Sequence, residues 1–72
     1  MIERQEAALN ALIRAAKYEC YAWNNYDPEE YGAAYNNRLR AVRRCRKLGI
    51  CNYDITNAID EASYDYAHSV NV

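Results

Sequence analysis

The sequence predicts an all-α fold, a small three-helix bundle. Three observations carry that expectation. Apolar residues recur at helical spacing in three stretches, each stretch is bounded by residues that cap or interrupt helices, and no stretch alternates with the two-residue period of a strand. With 72 residues, the chain reads as a single helical domain, 1–72, near the lower size at which one hydrophobic core supports folding unaided.

The first helix is expected over about residues 2–24, where Leu9, Leu12, Ile13, Ala16, Cys20 and Trp23 form one apolar stripe facing the core. It stops in Asn24-Asn25-Tyr26-Asp27-Pro28, because two asparagines and an X-Pro bond disfavour further helix. The second is expected over about 28–48. Asp27 offers a capping carboxylate, Pro28 suits the first helical position, and Glu29 and Glu30 sit at the positive end of the helix dipole. Its apolar positions are Tyr31, Ala34, Tyr35, Ala41, Val42, Cys45 and Leu48, and Gly49 followed by Ile50 predicts a Schellman-type stop. Gly32 costs about 1 kcal/mol relative to Ala within a helix, and a close approach of the first helix is the expected compensation. The third helix is expected over about 53–69, capped by Asn52 or Asp54, with Ile55, Ala58, Ile59, Ala62 and Tyr66 inward and fraying near Ser69 to Val72.

Core volume is scarce. The chain has no Phe, one Trp, one Met and eight Tyr. Tyr31, Tyr35 and Tyr66 are expected to stand in for Phe inside, while Tyr18, Tyr21, Tyr26, Tyr53 and Tyr64 are harder to bury together, and at least two of them are expected to form a contact surface. A homodimer is one way to add core. Cys20, Cys45 and Cys51 form an odd set without CxxC spacing, which predicts reduced, mostly buried thiols acting as small hydrophobes. His68 is the single histidine, so no metal site and no cofactor are expected. No window approaches the roughly 18 apolar residues that span a bilayer, and the start, Met1-Ile2-Glu3-Arg4-Gln5-Glu6, reads as amphipathic helix. A cytoplasmic protein without a membrane partner is the expectation.

Net charge is −1, but the charges are sorted. Arg38 to Lys47 holds six basic residues and no acid, and Leu48 to the end holds four acids with neither Lys nor Arg. Projected at about 100° per residue, Arg40, Arg43, Arg44 and Lys47 share the side of the second helix away from Tyr31, Tyr35 and Val42. Four like charges on adjacent turns gain most when an anionic partner arrives. Arg38 instead projects into the apolar stripe, where it requires a carboxylate such as Glu19 or Asp65, or an interface. On the third helix Asn57, Asp60, Glu61, Tyr64 and His68 make an acidic face holding an aromatic, the composition of a binding hot spot.

The stretch Arg46 to Ile59 resembles the helix-turn-helix of small phage repressors of the Cro type. Gly49, Ile50, Ile55 and Ala58 or Ile59 match the turn glycine, the hydrophobic residue after it and the two apolar anchors, while Cys45 stands where the family usually has Ala. The resemblance covers about 20 residues and implies that Asn52, Tyr53, Thr56 and Asn57 face base edges of DNA in a dimeric regulator. The sequence departs from the pattern in two ways: Asp54, Asp60 and Glu61 would face phosphates with no cation beside them, and the preceding helix is longer than a repressor's.

One histidine, no recognisable nucleophile setting, no phosphate-cradling loop and little room for a pocket predict that the chain is not an enzyme. The leading expectation is a non-catalytic protein-binding module that uses Asn57, Asp60, Glu61 and Tyr64 together with Arg40, Arg43, Arg44 and Lys47. In size, single-domain build and lack of catalytic residues it is similar to small inhibitors encoded by phages and mobile elements, anti-CRISPR and anti-restriction proteins among them. That likeness implies a host protein or nucleoprotein complex as partner.

Overall fold

A computed structural model describes residues 2–69. It contains three helices, α1 (Glu3–Asn24), α2 (Pro28–Lys47) and α3 (Asn52–Ser69), and no strand among the described residues. The bounds agree with the sequence reading to within a residue. The fraying expected past Ser69 falls on Val70 to Val72, outside the described residues.

Local chemistry explains the stops. Asp27 Oδ1 accepts the N–H groups of Glu29 and Glu30 at 3.0 and 3.2 Å, pairing donors that a first helical turn leaves orphaned. At the far end of α2, Gly49 takes φ +81°. The Ile50 N–H donates to the Cys45 carbonyl at 3.1 Å and the Gly49 N–H to the Arg46 carbonyl at 3.0 Å. These are the paired bonds of a Schellman motif, and they carry Ile50 into the core beside Cys45. The α3 start differs from expectation. The Ile55 N–H donates to the Cys51 carbonyl at 3.1 Å, so Cys51 occupies the cap position and Asn52 and Asp54 lie within the first turn.

Packing is asymmetric along the bundle. α1 packs against both other helices, whereas α2 and α3 touch little beyond their shared turn. Gln5 ties α1 to that turn: its Nε2 donates to the Leu48 carbonyl at 2.8 Å while its Oε1 accepts the Ile2 N–H at 3.2 Å. The larger aliphatic residues gather at this end, where Leu12, Val42, Ile50 and Ile55 pack with Ala8, Cys45 and Ala58. Farther along, the buried residues are the alanines Ala15, Ala16, Ala22, Ala34 and Ala62. The Cα trace measures only 17 Å in its thinnest direction, close to two helix layers at the usual 8–10 Å separation. The large side chains that are fully buried are accordingly Leu12 and Cys45.

Several expectations about burial are corrected. Trp23 lies in register with the α1 stripe read from the sequence yet is 64 % exposed, whereas its neighbour Ala22 is fully buried and takes the inward position of the last α1 turn. Tyr35 is exposed and Tyr31 and Tyr66 only half-buried, so the bundle leaves its tyrosines at the margin. Cys51 is exposed and Cys20 half-buried, Cys45 alone being fully buried. Gly32 makes no close helix approach, since a Cβ built there meets nothing within 4 Å.

Arg38 resolves as the sequence required. Its Nε donates to Glu19 Oε1 at 2.6 Å, with side-chain exposures of 19 and 16 %, and its guanidinium lies 5.1 Å from the Tyr35 ring centroid. Asp65, the other candidate, faces Lys17 at 3.6 Å.

Candidate functional site

The basic stripe is built as the helical projection predicted, and tertiary packing enlarges it. Arg40, Arg43, Arg44 and Lys47 are all exposed and line one shallow groove on α2. A second groove, floored by Ala11, Ala15 and Ala41, brings Arg14 of α1 alongside Arg40 and Arg44, with Tyr18 and Asn37 also on its wall. The ion pairs among the described residues, Lys17–Asp65 and Arg38–Glu19, involve none of these five cations. Arg14 is absent from the stripe read in the sequence because it lies on another helix, and only the packing of α1 on α2 brings it there.

An acidic groove occupies the other flank of α1. Glu6, Asp54 and Glu61 line it over an apolar floor of Leu9, Ile13 and Ala58, with Asn10 and Asn57 beside them. Glu61 and Asn57 were expected on this face, whereas Glu6 and Asp54 join it through the α1–α3 contact. Asp60 and Tyr64 point outward and are exposed. The Tyr64 ring stacks on His68 at 3.8 Å between centroids, and His68 Nδ1–H donates to the Tyr64 carbonyl at 2.8 Å. Among the described residues no group of three or more His, Cys, Asp or Glu side chains is arranged to hold a metal ion.

The third surface is aromatic and lies at the open end of the bundle. Trp23 borders two grooves. One is almost wholly apolar and is lined by Ala22, Tyr26, Pro28 and Tyr31 with Asp27. The other is lined by Glu19, Cys20 and Tyr66. Trp23 meets Tyr31 edge-on at 5.2 Å, and Tyr31 adjoins Tyr35 at 6.2 Å. Tyr26 is 88 % exposed and has φ +56°, a left-handed conformation rare outside glycine and asparagine. Its N–H donates to the Trp23 carbonyl at 3.3 Å. On the neighbouring face of α1, Tyr18 and Tyr21 stack at 6.0 Å, and the Tyr18 hydroxyl donates to Glu30 Oε1 at 2.7 Å. That bond, with some desolvation and the Glu30 charge, raises the Tyr18 pKa above its ordinary value, so the phenol stays neutral. Sequence reasoning grouped Tyr18, Tyr21 and Tyr26 as exposed but assigned Trp23 to the core.

The buried thiol is Cys45. Burial pushes the Cys45 pKa up against the opposing effect of Arg44, and its Sγ–H donates to the Ala8 carbonyl at 3.5 Å. This thiol remains protonated and packs as a small hydrophobe. Asn52, Tyr53, Thr56 and Asn57, the residues that the helix-turn-helix resemblance would aim at DNA, are all exposed on the first turns of α3. No helix among the described residues is long and apolar enough to cross a membrane. No protein-family model, curated protein or solved structure matches the chain.

Proposed function

We propose that the chain is a non-catalytic protein-binding module that docks on a larger host complex handling nucleic acid. The observation that carries this reading is Trp23, an indole in core register left 64 % exposed between two open grooves. Trp and Tyr dominate the energetics of protein interfaces because they bury large amphipathic area at small entropy cost. The acidic face of α3, with Asp60, Glu61 and Tyr64, supplies charge complementary to a cationic, nucleic-acid-binding partner. The similarity in build to small phage-encoded inhibitors is the basis for choosing that class of partner. Capture from a native host lysate, identified by mass spectrometry, tests it. A partner retained by the parent chain and lost from Trp23→Ala and from Asp60→Lys/Glu61→Lys, with helical content unchanged, supports the reading. A partner captured equally by all three chains rejects these surfaces.

A second reading, a dimeric helix-turn-helix DNA binder, is favoured by the Schellman turn at Gly49 and the exposure of Asn52, Tyr53, Thr56 and Asn57. Under it, reversing Arg43 and Arg44 abolishes duplex binding and Asp60→Lys/Glu61→Lys tightens it. Protein docking predicts instead that Arg43 and Arg44 alter only association rate and salt dependence.

A further inference from the structure

We propose that the α1–α2 groove and the groove on α2 that adjoins it through Arg40 and Arg44 form a binding track for single-stranded nucleic acid, holding phosphates on Arg14, Arg40, Arg43, Arg44 and Lys47 and an unpaired base on Tyr18. Arg40 stands three and four residues before Arg43 and Arg44, and Lys47 stands four and three residues after them. At 1.5 Å per residue they form a cationic line about 10 Å long. Arg14 approaches from the facing helix across a floor of alanines, so the track carries positive charge on both walls. The described ion pairs involve none of these groups. The carboxylates Glu6, Asp54 and Glu61 lie on the opposite flank of α1, which leaves the track locally basic on a chain of net charge −1. Four of the five cations are arginines, whose planar forks match phosphate oxygens in pairs.

An acidic peptide would also be drawn to such a line, but Tyr18 favours a nucleic acid. Its ring lines the same groove, is exposed, and is backed by Tyr21. A cationic track beside an aromatic face is the arrangement on which unpaired bases stack. A duplex keeps its bases stacked inside and gains nothing from the ring. Glu30 bonds the Tyr18 hydroxyl and limits the track at that end, so the strand runs from Tyr18 toward Lys47. This inference does not rest on protein docking through Trp23, and an oligonucleotide titration contains no protein partner, so the two proposals fail separately.

The test is fluorescence anisotropy of labelled poly(dT) titrated with the full chain between about 50 and 200 mM salt, the range in which counterion release is pronounced. With five phosphates engaged, the expected slope of log affinity against log salt is about −3.5, and Arg40→Gln/Arg44→Gln reduces its magnitude by about 1.4. Tyr18→Phe keeps affinity. Tyr18→Ala loses roughly 5- to 150-fold with the slope unchanged, as removal of one stacked base predicts. All these positions are at least partly exposed, and circular dichroism checks that each variant is folded. No anisotropy change at the lowest salt overturns the proposal. So does a slope indifferent to the arginine variants, or equal displacement by polyglutamate or by duplex DNA of matched charge.

Discussion

Trp23→Ala separates an interface residue from a core residue in one variant. A tryptophan presents up to about 250 Å² to be buried, and with 64 % of its surface exposed only about 90 Å² is removed from water. At about 25 cal/mol per Å² the loss is about 2 kcal/mol, an upper value because the unfolded chain already shields part of that area. A buried tryptophan costs about 3–5 kcal/mol on truncation. Leu12, fully buried, is the internal standard, and Leu12→Ala is expected to cost about 2–5 kcal/mol. Urea denaturation of both variants followed by circular dichroism measures the pair. Since Trp23 is the single tryptophan, its fluorescence gives a second readout: red-shifted emission readily quenched by acrylamide, becoming blue-shifted and protected in the complex. If Trp23→Ala destabilises as much as Leu12→Ala, or the free protein's emission is protected from quencher, the indole belongs to the core and the docking argument collapses.

The two glycines should respond to alanine with opposite signs. Gly32→Ala adds a methyl to open helical space and stabilises by about 1 kcal/mol, whereas Gly49→Ala forces a side chain into φ +81° and costs about 1–2 kcal/mol; denaturation midpoints decide, and matching signs refute the assignment of the stop. For Arg38 and Glu19, single replacements Arg38→Met and Glu19→Gln should each cost about 1–3 kcal/mol, and the double-mutant cycle should yield a coupling above about 0.5 kcal/mol. A smaller coupling means that water already satisfies the pair.

What could be read from the sequence was local. Asp27-Pro28 and Gly49-Ile50 announced two helix boundaries through cap chemistry that needs no tertiary context, and the interrupted apolar pattern placed all three helices. Arg38 was legible for a related reason: a guanidinium in an apolar stripe demands an acid, and Glu19 lies at the matching level of the α1 stripe. Trp23 was misplaced because periodicity reports the direction a side chain points, and what stands opposite it depends on other elements. In the last turn of α1 the inward position falls to Ala22, fully buried, and Trp23 one residue on opens onto solvent. Arg14 and Glu6 joined the two charged grooves for a similar reason. They lie on opposite flanks of α1, Arg14 toward α2 and Glu6 toward α3, and the role of each arises only where the neighbouring helix supplies charges of the same sign.

Tyr26 shows the fold accepting strain where a ring is displayed. Its left-handed backbone costs an L-residue about 1–2 kcal/mol, while a side chain 88 % exposed returns little by burial. Glycine adopts this φ freely but loses more entropy on folding, about 0.5–1 kcal/mol. The two terms leave Tyr26→Gly neutral to stabilising by up to about 1.5 kcal/mol. The turn itself should survive, because its bonds run from backbone N–H groups of Asn25 and Tyr26 to carbonyls of Tyr21, Ala22 and Trp23. A sequence selected for stability alone would favour glycine or asparagine at this position. Retaining tyrosine makes sense if the ring contacts a partner beside Trp23, so Tyr26→Gly should weaken capture of that partner while leaving the melting temperature the same or higher. A melting temperature lowered by more than about 5 °C, roughly 1 kcal/mol at this size, would mean that the ring packs against the bundle. Undiminished partner affinity would mean that the strained tyrosine serves no contact.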